Sequence, residues 1–129
     1  MNSKNVINNK KNQMLFSVIT INKNNLNGLI KTIDSVITQN YFDFEFIIID
    51  GGSRDGSKEY INTINFPLIY KSEIDNGIFD AMNKGIKRAS GDYLIFLNSG
   101  DLFYSIDILQ NAESVIKKNN VHAIYYGNY

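Results

Sequence analysis

Residues 44–57 read FEFIIIDGGSRDGS, an apolar run that ends in an acidic, glycine-rich segment. The run over 44–50 is short and rich in isoleucine, as in a strand that is buried on both faces of a sheet. The glycines predict a tight loop, and Asp55 or Ser57 is suited to cap a short helix that runs to about Ile64. This stretch therefore predicts a buried strand, a loop and a helix.

Strands and helices alternate on both sides of this stretch. Such alternation is typical of βαβ units, so the predicted fold class is α/β, with a Rossmann-like, mostly parallel sheet of about five strands flanked by helices. The predicted strands cover residues 14–21, 44–50, 66–72, 92–97 and 123–126. The predicted helices cover 27–39, 57–64 and 78–89, and Ser105 is expected to cap a last one.

Length and composition limit the possible functions. The chain has 129 residues, enough for one domain, and the polar residues 1–13 are expected to be a disordered tail. Lys plus Arg and Asp plus Glu are each 13, so the net charge is zero. A neutral chain lacks the positive charge that favours binding to nucleic acid. The absence of cysteine excludes disulfides and thiolate metal sites.

The sequence also predicts where the protein works. Its first dozen residues contain no apolar segment of the kind found in signal peptides. The apolar runs elsewhere are too short to cross a bilayer. We therefore expect a cytoplasmic location, with any membrane contact peripheral, at the inner face.

Candidate ligand residues follow the predicted strands, because parallel sheets bind ligands beyond the carboxyl ends of their strands. Asp50 ends an apolar strand, where a carboxylate needs hydrogen-bond donors. A nucleobase or ribose would supply them, and so would the N–H groups of its own turn; both interpretations remain open. Residues 20–25 are mostly short polar groups that suit a base, a ribose or a phosphate, but also a turn and a helix cap.

Two further segments are chemically distinctive. In the third predicted helix, Asp80, Asn83 and nearby lysines share a face that is either solvated or binds ligand, while the face with Ile78 and Ile86 is expected to pack. After the fourth strand, Asn98 and Asp101 offer oxygen atoms to a hard divalent ion, although a capped polar turn explains these residues better when they are taken alone.

Taken together, these segments resemble family 2 glycosyltransferases with a GT-A fold, of the type associated with bacterial surface polysaccharides. The resemblance extends over residues 16–127. It rests on SVIT at 17–20 with Asn24, DGGSRDGS at 50–57, DNGIFDAMNKGI at 75–86 and GDYLIFLNSGD at 91–101.

The resemblance implies a site for a nucleotide-diphosphate sugar. Asp101 is the implied metal ligand; because Asn98 and Gly100 stand where the family's DxD motif has acidic residues, Mn²⁺ or Mg²⁺ is expected to bind weakly. Lys23 stands where an aromatic residue is common. The implied donor-binding residues are Thr20, Asn24, Asp50, Gly51, Ser53, Asp75, Asp80, Asn83 and Asn98.

The same resemblance implies inverting transfer to a glycan or lipid-linked acceptor. In the family the catalytic carboxylate follows the fifth strand, in the acceptor-binding half, so no catalytic residue is assigned within this chain. We expect residues 14–129 to form the nucleotide-sugar-binding half alone, inactive by itself. The uncovered edge of the fifth strand predicts pairing with a second copy.

Several other classes fit less well. A receiver domain needs an acidic pair after the first strand, and residues 20–25 contain no acid. A nicotinamide dehydrogenase needs a G-x-G-x-x-G motif at the same place, and a sugar nucleotidyltransferase needs a glycine-rich basic loop near its start. This sequence has neither feature. The main alternative is a non-catalytic nucleotide-binding or assembly module with the same fold.

Overall fold

The computed structural model describes residues 15–119, which form four strands and four helices. The predicted polar tail at 1–13 and the predicted fifth strand at 123–126 lie outside the described residues. Strands and helices alternate strictly along the chain. They are β1 (Phe16–Asn22), α1 (Leu26–Ile37), β2 (Phe44–Asp50), α2 (Ser57–Asn62), β3 (Ile69–Ser72), α3 (Ile78–Arg88), β4 (Tyr93–Phe96) and α4 (Ile108–Asn119).

The four described strands form one parallel sheet in the order β3-β2-β1-β4. The two long strands, β1 and β2, lie at its centre and pair over their whole length, from Phe16 opposite Phe44 to Asn22 opposite Asp50. The chain order reverses between β1 and β4. In open α/β sheets that reversal opens a crevice at the carboxyl ends of the strands, where ligands bind.

Apolar side chains fill both faces of the sheet. Val18 and Ile48 point to the face covered by α1, whereas Ile19, Ile47 and Ile49 point to the opposite face, where Ala81 of α3 packs. This alternation follows from the two-residue period of a strand. Burial on both faces explains why β1 and β2 are continuous apolar runs, as predicted.

Some element boundaries differ from the predicted ones. β3 begins at Ile69, not at residue 66. Pro67 lies before the strand, because proline has no N–H to donate to a sheet. Phe66 and Leu68 precede the strand, and their side chains pack against the core. The last helix begins at Ile108, three residues after Ser105.

The predicted packing face of α3 is wrong. Ala81 and Gly85 are its buried residues, whereas Ile78 and Ile86 are 50% and 43% exposed. The helix approaches the sheet so closely that a Cβ at Gly85 would lie 2.6 Å from Cγ2 of Ile19. Small residues therefore form the contact, because large side chains on that face would hold the helix off the sheet.

Candidate functional site

A cleft of about 290 Å³, lined by both polar and apolar residues, opens at the carboxyl ends of β1 and β4. The loops after β1, β3 and β4 form its walls, which matches the crevice expected where the strand order reverses. Such a volume lies at the small end for ligand pockets, so it accommodates a small ligand or part of a larger one. The cleft is lined by Ile21, Lys23, Asn25, Asp75, Gly77, Ile78, Asn98 and Ser99.

Asp50 ends β2 opposite Asn22 of β1 and is completely buried. Its carboxylate accepts five hydrogen bonds, from the side chains of Asn22, Ser53 and Ser72 and from the backbone N–H groups of Gly52 and Ser53. Burial raises the pKa of Asp50, but these hydrogen bonds outweigh it and lower the pKa below its ordinary value. The carboxylate is therefore a charged anchor for the surrounding loops.

Asn22 connects that anchor to the cleft. Its Nδ2 donates to Oδ1 of Asp50 at 2.9 Å, and its Oδ1 accepts from Oγ of Ser99, a cleft residue, at 2.7 Å. The side chain is 1% exposed, so both bonds form away from water. Asn22 thus joins the loops after β2 and β4, a role that the sequence analysis did not assign to it.

Asn24 and Ser53 fix the loop after β1 against the loop after β2. The N–H of Asn24 donates to Oγ of Ser53 at 2.8 Å, and Oδ1 of Asn24 accepts from the N–H of Arg54 at 2.8 Å. Asn24 adopts a φ of +50°, a conformation that asparagine tolerates better than most residues. Neither side chain lines the cleft, so both position the loops around it.

Asp75 is the one carboxylate that lines the cleft within residues 15–119. Its Oδ1 accepts from the N–H of Gly77 at 3.1 Å. Its Oδ2 lies so close to Gly51 that a Cβ there would be 2.6 Å away. The missing side chain at residue 51 therefore makes room for the Asp75 carboxylate, which explains why glycine follows Asp50.

Asn98 and Asp101 are the predicted metal-binding segment. Asn98 lines the cleft, and its Oδ1 is buried without a hydrogen-bond partner among the described residues. Asp101 is exposed and does not line the cleft, and its backbone groups bond to Asn98 and Thr32. Within residues 15–119 no three Asp, Glu, His or Cys side chains converge as metal ligands.

The remaining predicted site residues lie away from the cleft. Thr20 is completely buried in β1. Asp80, in the first turn of α3, accepts from the N–H of Asn76 and pairs with Lys84 at 3.2 Å, and these contacts lower the pKa of Asp80. Asn83 is exposed on the same helix. Direct ligand contact by these three residues remains a prediction, and so does direct contact by Asn24, Asp50, Gly51 and Ser53.

The cleft also contains residues that the sequence analysis did not select. Asn25 caps α1 by accepting from the N–H of Gly28, and its Nδ2 donates to the carbonyl of Ser99 at 3.2 Å. Lys23 precedes it as the one cation that lines the cleft in the described part of the chain. A sequence signal existed for both residues, since they follow β1 at the carboxyl edge of the sheet.

Fold and cleft define an α/β domain with a ligand crevice at the strand ends, and comparison with known sequences gives its family. Residues 17–129 match the model of glycosyl transferase family 2, and the chain belongs to that family. It is 47% identical over 98 residues to an uncharacterized glycosyltransferase of Mycobacterium tuberculosis, covering 74% of this chain and 37% of that protein. A PGL/p-HBAD biosynthesis glycosyltransferase of Mycobacterium bovis is 32% identical over 117 residues, with coverages of 88% and 46%.

Solved structures confirm the GT-A fold. The S. aureus TarS fragment 1–349 in complex with UDP-GlcNAc superposes with a TM-score of 0.75 at 23% identity, over 83% of this chain and 32% of that one. The mannosyltransferase PcManGT from Pyrobaculum calidifontis, in complex with GDP-Man and Mn²⁺, gives 0.72 at 20% identity, over 81% and 32%. This chain spans less than half the length of these sequence relatives and structures.

Proposed function

We propose that this domain binds the nucleotide-diphosphate sugar donor of an inverting glycosyl transfer to a glycan or lipid-linked acceptor. The observation that carries the proposal is the cleft at the strand-order reversal, where a free amide oxygen, a carboxylate and a cation meet. Family membership supports a donor of this class. The ligands named for TarS and PcManGT, UDP-GlcNAc and GDP-Man, make these two sugars the first donors to test.

The cleft offers hydrogen-bond partners that suit such a donor. Asp75 Oδ2 accepts no hydrogen bond among those described and can accept one from a base N–H or a ribose hydroxyl. Asn98 Oδ1 needs a donor or a cation, because a buried acceptor without a partner costs free energy. Asp50 supports this arrangement by holding the loop after β2 in place.

The loop after β4 offers oxygen atoms of Asn98 and Asp101 to a divalent metal. Mg²⁺ and Mn²⁺ prefer oxygen, and Mg²⁺ is often held by one or two carboxylates together with substrate phosphates. We propose that Asn98 and Asp101 would hold the metal weakly, with the unpartnered Oδ1 of Asn98 supporting this assignment. When bound, the ion would neutralise charge on the leaving diphosphate.

Isothermal titration calorimetry of the 129-residue chain with UDP-GlcNAc and with GDP-mannose, each with Mn²⁺, tests the donor site. We expect heat of binding with one of them. Asp75→Asn keeps an oxygen for the N–H of Gly77 and is expected to weaken binding about tenfold, the usual effect of losing one charged hydrogen bond. Asp34→Asn, at an exposed carboxylate on α1, is the matched control and is expected to change nothing.

The absence of heat with both donors would contradict the proposal and favour the non-catalytic assembly module. Equal weakening by Asp75→Asn and Asp34→Asn would contradict the placement of the donor in this cleft. Circular dichroism of both variants shows whether the fold is retained.

Other parts of the functional hypothesis need separate experiments. Pairing of two copies through the edge of the predicted fifth strand is tested by sedimentation velocity at several concentrations. The cytoplasmic, peripheral location is tested by fractionating cells and washing membranes with salt. Within residues 15–119, no helix combines the length and apolar character needed to span a bilayer.

A further inference from the structure

Lys23 is the cation that lines the cleft in the described part of the chain, and the proposed function does not say which part of the donor it contacts. It is exposed and lines the cleft from the loop after β1. The described ion pairs involve Lys71, Lys84 and Lys117, so Lys23 forms none among residues 15–119. Its ammonium group is therefore available to a ligand.

The backbone on both sides of Lys23 is fixed although its side chain is not. Asn22 bonds to Asp50 and Ser99, and Asn24 bonds to the loop after β2. Asn25 bonds to the carbonyl of Ser99. A ligand that contacts Lys23 thus orders one flexible side chain but no loop, which keeps the entropic cost of binding small.

The charges around the cleft point to an anionic ligand group at Lys23. The segment predicted to hold a metal has a single carboxylate, Asp101, and this weakens any metal that would neutralise a diphosphate. Lys84 does not substitute for the metal, because Glu73 and Asp80 each pair with it at 3.2 Å. Lys23 is the remaining cation at the cleft in the described part of the chain.

We propose that Lys23 binds the diphosphate of the donor and supplies positive charge that a weakly held metal supplies only in part. The inference rests on the proposed function, because it assigns a residue of the same cleft. It adds that nucleotide diphosphates bind measurably without metal. It also distinguishes a phosphate contact from a contact between Lys23 and the base.

The test compares Lys23→Gln with the original chain in binding to UDP and GDP in EDTA, by calorimetry, and to uridine and guanosine, by competition NMR. We expect Lys23→Gln to weaken binding of the diphosphate about 10- to 100-fold and to leave nucleoside binding unchanged. Lys23→Arg keeps the charge and is expected to retain most of the affinity. Lys31→Gln, at an exposed lysine on α1, is the matched control and is expected to have no effect.

Mn²⁺ provides a second readout. If Lys23 and the metal neutralise the same phosphates, the loss caused by Lys23→Gln is smaller with Mn²⁺ than with EDTA. The affinity of Lys23→Gln is also expected to depend less steeply on salt concentration.

Three results would overturn the inference. Unchanged diphosphate affinity in Lys23→Gln excludes the phosphate contact while leaving the donor site intact. Equal weakening of the nucleoside and the diphosphate places Lys23 at the base instead. If the original chain binds neither diphosphate under any condition, both this inference and the proposed function are wrong.

Discussion

Asn22 and Asp50 end adjacent parallel strands at matching register, and Nδ2 of Asn22 donates to Oδ1 of Asp50 at 2.9 Å. Both side chains are buried, and Ser99 completes the link to the loop after β4. Three loops that are far apart in sequence therefore share one hydrogen-bonded network. Removal of Asn22 would therefore leave Asp50 and Ser99 each with one hydrogen bond fewer.

Asn22→Ala is expected to destabilise the domain by about 1–3 kcal/mol, because Asp50 loses a donor and Ser99 loses an acceptor. Urea denaturation followed by circular dichroism measures the change. Asn40→Ala, at an exposed asparagine, is the control and should stay within about 0.5 kcal/mol of the original chain. Equal effects of the two substitutions would show that the network contributes little.

Asp50 predicts a specific pH dependence of stability. Its pKa in the folded protein is lower than its ordinary value of 3.8, so its contribution is fully present above that value and is lost as the pH falls through the folded pKa. Asp50→Asn is expected to cost about 1–3 kcal/mol at pH 7, because an amide presents N–H groups to donors. The gap between the two proteins should narrow below about pH 4 in urea titrations. A constant gap would mean that the charge of Asp50 is not what stabilises the loops.

Gly51→Ala tests the close contact between residue 51 and Asp75. A Cβ would lie 2.6 Å from Oδ2 of Asp75, and the carboxylate at the end of that side chain must move away, so we expect a loss of about 1 kcal/mol. In an Asp75→Ala background the clash is absent, and alanine at 51 should be neutral or stabilising because it restricts the unfolded chain. A double-mutant cycle from denaturation curves measures this coupling. Independent effects of the two substitutions would refute the contact.

Gly85→Ala sets helix propensity against packing. Alanine gains about 1 kcal/mol of helix propensity, but its Cβ would lie 2.6 Å from Ile19 at the face that meets the sheet. We expect net destabilisation of about 1–2 kcal/mol, as in overpacked cores. Asn83→Ala, at an exposed position of the same helix, should be slightly stabilising. Thermal melts that show both substitutions stabilising would contradict the close approach of α3.

The fold was predictable because its central strands are recognisable from their sequences. β1 and β2 are isoleucine-rich runs buried on both faces, and few other arrangements bury such runs. The packing face of α3 was not predictable from periodicity. Its apolar stripe suggested Ile78 and Ile86, whereas close approach to the sheet selected Ala81 and Gly85.

The candidate site was predictable only in outline. The strand-end rule pointed to loops that form the cleft, and Asp75 and Asn98 line it. Position in sequence did not reveal that Asp50 has its hydrogen-bonding capacity filled by the protein itself, which depends on side chains from several loops. Asn22 was overlooked for the same reason, since its partners are at least 28 residues away.

Because residues 22, 24 and 25 are anchored, the shape of this loop and its contact with a ligand depend on different residues. Shape is held by the neighbours of residue 23, whose own side chain is exposed and forms no described bond. A library of all substitutions at this single position should therefore yield folded proteins that differ in how tightly they bind the donor diphosphate. Residue 23 is thus a starting point for re-engineering donor affinity.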